Sequence, residues 1–171
     1  AGHGAGPIGG HELMINADFF TPINAECLPT GEIRSVAGTL FDFRSPRPIG
    51  PGLASGDEQI RNASGGYDHN FVLRGGGRVP GVPEKIAELY EPSSGRVMEV
   101  FTTKPGVQLY TGNFLDGTKV GKGGVRYGKQ TGLCLETQYF PNAMKHRHFP
   151  SPVLRAGVKY KHVTVYKFSA R

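Results

Sequence analysis

Hydrophobic and polar positions along this chain alternate with a period of two almost wherever they are periodic at all. That is the mark of strands with one face turned inward. Glu12-Leu13-Met14-Ile15-Asn16 predicts a short strand after a glycine-rich opening loop. Residues 33–43 alternate loosely, with Val36, Leu40, Phe41 and Phe43 as expected core. Residues 44–66, with Pro46, Pro48, Pro51 and five glycines, read as a long loop, part of which (56–62) is able to form a helical turn. Residues 69–73 form a short strand before the Gly75-Gly76-Gly77 turn, and 85–90 with 97–103 form a hairpin around Glu91-Pro92-Ser93-Ser94-Gly95. Further strands are expected at 107–111 and 132–138, and a long terminal one at 158–169. No stretch carries a helical stripe over three turns. About nine strands with long loops predict an all-β chain, one part of a large antiparallel β-sandwich, with no internal domain boundary across residues 1–171.

Composition narrows this picture. The 26 glycines and 13 prolines lie between the alternating segments, so they mark turns rather than disorder. No apolar run approaches the roughly 18 residues of a membrane-spanning helix, and no segment resembles a signal peptide. No membrane partner is expected. Cys27 and Cys134 are read as isolated core thiols in a reduced, cytoplasmic protein. The chain opens at Ala1 inside a glycine-rich run, which suggests a fragment or a processed chain. The net charge of +6 gathers late, in Lys145-His146-Arg147-His148 and at Lys159, Lys161 and Lys167. The last three alternate as on an exposed strand face, so nucleic acid is not expected as a partner.

Three polar residues interrupt strand-like segments: Asp68, Gln108 between Val107 and Leu109, and Glu136 between Leu135 and Thr137. Glu136 stands in what reads as a buried strand, where a carboxylate must be paired, neutralised or used. On a pleated strand Gln108 points away from Val107 and Leu109, and Glu136 points to the side of Cys134 and Gln138. Carboxylates and amides take up hydroxyls while Tyr110, Tyr139 and Phe140 offer faces to an apolar sugar ring, so the set resembles a sugar site. Each residue also has a plainer reading. Asp68 fits a turn cap, Gln108 a satisfied core amide, and Glu136 one half of a buried ion pair. His146 and His148 have H-x-H spacing without a completing ligand, and His3 and His11 sit in the opening loop, so no metal site is expected. Gly121-Lys122-Gly123-Gly124 and Gly75-Gly76-Gly77 lack the frame of a phosphate loop.

Taken in order, the segments of this chain resemble the aldose 1-epimerase, or galactose mutarotase, family. The matching stretches include Ala1-Gly2-His3-Gly4, Leu28-Pro29-Thr30-Gly31-Glu32, Phe41-Asp42-Phe43-Arg44, Gly66-Tyr67-Asp68-His69-Asn70, Lys104-Pro105-Gly106-Val107-Gln108 and Gly132-Leu133-Cys134-Leu135-Glu136-Thr137-Gln138. The resemblance implies a galactose mutarotase-like supersandwich, present as roughly its C-terminal half. It also implies interconversion of the α and β anomers of hexoses such as galactose and glucose, with no cofactor. It assigns Glu136 as general base at the C1 hydroxyl and gives Asp68 and Gln108 to the sugar hydroxyls. The family's acid histidine belongs to a segment that runs into the stretch matching Ala1 and is not among these residues, so a missing segment or second chain is expected to complete the sandwich. The alternative is a non-catalytic sugar-binding or assembly subunit on the same scaffold. Glycoside hydrolysis by Asp68 and Glu136 is a further rival.

Overall fold

The computed structural model describes residues 4–75 and 81–171. His3 and the residues of the Gly75–Gly77 turn beyond Gly75 lie outside the described residues. Among the described residues ten strands form two five-stranded antiparallel sheets. In chain order they are β1 (Glu12–Ile15), β2 (Ala17–Thr21), β3 (Arg34–Ser35), β4 (Arg47–Pro48), β5 (Asp68–Leu73), β6 (Glu84–Glu91), β7 (Arg96–Thr102), β8 (Gly106–Tyr110), β9 (Cys134–Gln138) and β10 (Thr164–Ala170). One sheet runs β10-β7-β6-β1-β4 and the other β3-β2-β5-β8-β9. Among the described residues no helix is long and apolar enough to cross a membrane.

Alternation explains how the two sheets share a core. Leu13 and Ile15 of β1 and Val100 of β7 meet Phe20 of β2, Phe71 of β5, Val107 and Leu109 of β8 and Leu135 of β9, all buried. Ile86 and Ala87 are consecutive yet both buried, because the β6–β7 register shifts between Lys85 and Ala87 and the extra residue turns inward. Connecting segments complete the interior. Phe41 stacks on Phe20 with ring centroids 4.1 Å apart, and meets Tyr67 and His69 edge-on. The expected core residues Val36, Phe41 and Phe43 are therefore buried, although 36–43 is turn rather than strand.

Several sequence expectations are corrected. The terminal strand is shorter than residues 158–169, because its partner β7 ends at Thr102 and leaves the earlier residues no strand to pair with. Lys159 and Lys161 therefore precede β10, and Lys167 pairs with Glu99 at 2.9 Å. Strand β2 escapes the period-two reading because a bulge at Asp18 breaks its alternation. The 44–66 loop holds a two-residue strand and a short helix, Gly50–Leu53, besides the expected helical turn, which stands at Glu58–Asn62. The hairpin stands as expected. Glu91 accepts from the backbone of Ser93 and Ser94, and Gly95, at φ 72°, closes the turn in a conformation that favours glycine. Edge strand β10 crosses to the other sheet through the Tyr166 hydroxyl, which donates to the Leu135 carbonyl at 2.8 Å, and through a 2.6 Å contact between Thr137 and Thr164.

His69 shows how tightly the centre of β5 is sealed. Its ring is fully buried, its Nδ1 accepts from the Asp68 N–H at 3.0 Å, and burial pushes its pKa down to about 3. Above the unfolded value of about 6.5 the neutral ring costs nothing; below it only the unfolded chain takes up the proton. Stability is thus expected to fall as pH drops from about 6.5 towards 3, by about 2 kcal/mol at pH 5 from this residue. Urea midpoints at pH 7 and pH 5, for the native chain and His69→Phe, check this, since the substitution should remove that share of the pH dependence.

Candidate functional site

Strands β5, β8 and β9 lie side by side, and the face they turn away from the core carries the candidate residues. His69 and Phe71 of β5, Val107 and Leu109 of β8, and Leu135 of β9 point inward. Period-two alternation then sends Asp68 and Asn70, Gly106, Gln108 and Tyr110, and Cys134, Glu136 and Gln138 to the other face. Register lines them up. Thr21, Asn70, Gln108 and Glu136 form one row across four strands. Asp68, Tyr110 and Cys134 form the row beside it, and Val72, Gly106 and Gln138 the row on its other side. Three residues 40 and 28 positions apart in the chain thereby share one surface, and Gln108 stands directly opposite Glu136.

Hydrogen bonds join these rows. Gln108 Nε2 donates to Asp68 Oδ1 at 2.8 Å. Gln138 Nε2 donates to Gln108 Oε1 at 2.8 Å and to Asn70 Oδ1 at 3.3 Å. The buried Thr21 Oγ1 and Asn70 Nδ2 lack a partner among the described residues. Glu136 has no hydrogen bond or ion pair among the described residues. Its charge is felt nearby, for the Cys134 thiol is pushed up first by burial and then by Glu136 and Asp68. Burial and, next, the charge of Asp68 raise Cys27 likewise. Tyr110 and Phe114, rings nearly parallel with centroids 6.3 Å apart, border the Asp68 row.

Three expectations about this face need correction. Glu136 is exposed, not buried, because β9 is an edge strand among the described residues and only its Leu135 side is covered. Cys134 is exposed and Cys27 half-buried, so neither is a core thiol; both are free. Of the three aromatic residues, only Tyr110 stands in the rows. Tyr139 stacks its ring against the Lys104 ammonium, 4.4 Å away, and Phe140 packs with Phe149 at one end. Asp68 opens a strand, and Glu136 meets no cation among the described residues. Gln108 is half-buried and satisfied, but by Asp68 and Gln138 on the open side. Strand alternation alone places Gln138 with Glu136, whereas nothing local in the sequence singles out Asn70.

The basic cluster and the histidines serve other contacts. His146 and His148 lie 3.2 Å and 2.8 Å from the carbonyls of Pro29 and Gly31, and His162 contacts Thr103. His11 abuts β1, where burial lowers its pKa. None of the five described histidines stands in the rows around Glu136. The described residues include no group of three potential metal ligands. A separate hollow, lined by His11, Glu91, Arg126 and Tyr127, lies between the 4–11 and 125–133 segments and contains none of the row residues.

Comparison with known proteins bears on the whole chain. The family model described as Aldose 1-epimerase matches residues 1–167. The galactose mutarotase of Bos taurus is 48% identical over 171 residues, covering 99% of this chain and 46% of that protein. The galactose mutarotase of Homo sapiens is 46% identical with the same coverage. An aldose 1-epimerase of Escherichia coli (strain K12) is 36% identical over 163 residues, 94% of this chain and 45% of that protein. Among solved structures, a GalM/aldose epimerase homologue from C. elegans superposes with a TM-score of 0.80 at 30% identity, covering 96% of this chain and 47% of the other. A galactose 1-epimerase from Lactobacillus acidophilus NCFM gives 0.69 at 27% identity, covering 96% and 45%. The chain spans about half the length of the curated relatives it matches.

Proposed function

This chain belongs to the aldose 1-epimerase family, and from that membership we propose that it supplies the base and part of the sugar-binding face of an enzyme interconverting the α and β anomers of hexoses. The observation that carries this reading is the register that sets Glu136, without an ion pair among the described residues, opposite Gln108, with Asp68 hydrogen-bonded to Gln108. In the reaction, Glu136 takes the proton from the C1 hydroxyl while an acid delivers one to the ring oxygen. The C1–O bond of the ring breaks and leaves an open-chain aldehyde. Rotation about C1–C2 and reclosure, with the protons returned in reverse, gives either anomer. Glu136 is the group whose protonation changes; Asp68 and Gln108 hold hydroxyls and do not.

An acid is also required, and no described histidine reaches the Glu136 rows; we assign it to chain outside these residues, as the family resemblance implies. On this reading residues 1–171 are part of one β-sandwich domain, and the partner is a hexose. The two free thiols suit the reducing conditions of the cytoplasm. Strand β8 and Gln108 stand between Asp68 and Glu136, which argues against the roughly 5–5.5 Å carboxyl pair of a retaining glycosidase.

The direct test is polarimetry. Protein containing this chain should speed the relaxation of freshly dissolved α-D-galactose or α-D-glucose, and a relaxation no faster than in buffer would refute the enzymatic reading. Sugar binding without acceleration would leave the binding subunit instead. Asp68→Asn and Gln108→Met should each raise KM about ten-fold with a smaller change in kcat, since they remove contacts made equally to substrate and transition state. Initial rates across galactose concentrations check this.

A further inference from the structure

We propose that Gln138 is a positioning residue, which with Asn70 sets the direction of the Gln108 amide and so fixes which hydroxyl pattern the face accepts. This rests on the reading of Gln108 as a sugar ligand. A glutamine side chain presents a donor end and an acceptor end of nearly equal shape, so its specificity depends on what decides which end faces the ligand. Here the Gln138 amide nitrogen is spent on two carbonyls, Gln108 Oε1 at 2.8 Å and Asn70 Oδ1 at 3.3 Å. Gln108 is thus held at both ends, its oxygen by the Gln138 donor and its nitrogen by the acceptor Asp68 Oδ1. One Gln108 N–H then remains for a ligand, beside the second Asp68 oxygen. A donor and an acceptor side by side suit two neighbouring sugar hydroxyls, one accepting and one donating.

The backbone around the pair is shaped for this relay. Gly106 is the register partner of Gln138, and a Cβ there would lie 2.4 Å from Asn70 Oδ1 and 3.0 Å from the Phe140 ring. The glycine leaves the space in which the Asn70 carbonyl reaches Gln138. Asn70 is itself fully buried, and its Oδ1 accepts from Gln138. The substitution effects of Gln138 should therefore pass through Gln108 and leave Glu136 untouched.

A double-mutant cycle on protein containing this chain tests the relay, with galactose as substrate. Gln138→Met is expected to raise KM about ten-fold with kcat within about two-fold, and to add nothing when Gln108 is already Met. Gln138→Glu keeps the size of the side chain but sets an acceptor against the Gln108 oxygen. Its KM should be raised more than ten-fold at pH 7 and fall back towards the native value at pH 5, as the introduced carboxyl gains a proton and donates again. A misfolded variant would not show that recovery, so this second substitution decides the matter where the first fails to fold. Unchanged KM in both variants, equal losses in kcat, or additive effects of the Gln108 and Gln138 substitutions would overturn the relay while leaving the sugar-binding role of Gln108 standing. A Gln108→Met variant with native KM would overturn both.

Discussion

Glu136→Gln is expected to lower the catalysed rate of anomer interconversion by roughly 10²–10⁴-fold, the usual share of a positioned general base. The amide keeps the shape of the side chain but cannot accept the C1 proton at neutral pH. Because Glu136 is exposed and has no hydrogen bond or ion pair among the described residues, the fold gains nothing measurable from its charge. The expected signature is thus a collapse of activity with an unfolding midpoint unchanged in urea. KM should move little, since the loss falls on an interaction made in the transition state. Polarimetry reads the rate and a denaturation curve reads the stability. A variant with near-native rates would remove Glu136 from the mechanism, and one with a strongly lowered midpoint would mean that its role is structural.

The largest stability effect is expected at Phe41, not in any strand. Its ring is buried and stacks on Phe20 at 4.1 Å, with Tyr67, His69 and Phe71 around it. Truncation to alanine removes that burial and leaves a cavity that the packed rings around it only partly close. Phe41→Ala should cost about 3–5 kcal/mol, the range for large-to-small substitution of buried aromatic residues. Urea unfolding followed by tyrosine fluorescence measures it, and a loss under about 1 kcal/mol would show that residues 36–43 are not part of the core. Tyr67 and His69, both in contact with Phe41, flank Asp68 in the chain. A loosened core here should therefore also disturb the site, and residual folded Phe41→Ala protein is expected to bind sugar more weakly.

The contrast between these two positions explains what was legible in the sequence. Strand alternation is a local property, because successive side chains point to opposite faces whatever the partner strand. It placed Gln108 against Val107 and Leu109, and Glu136 on the side of Gln138, and both placements hold in the structure. The same alternation gives the direction of Glu136 without giving its burial. The apolar neighbours Leu133 and Leu135 show that one face is covered, and say nothing about the other. Cys134, on that same side, is exposed for the same reason. Strand β2 leaves no period-two signal because one bulge breaks its alternation.

Residue order alone determined the class of fold, the hairpin around residues 91–95, the faces of β8 and β9, and the family to which the chain belongs. Those follow from periodicity and from motifs in sequence, which need no knowledge of neighbours. Tertiary structure decided that Asn70, Gln108 and Glu136 stand in one row, that Gln138 ties Gln108 to Asn70, and that Phe41 in a turn is buried in the core. Register between strands is set by the packing of whole sheets and the loops that join them. A shift of one residue would turn each of these side chains to the opposite face, and nothing within a single strand records which register is taken.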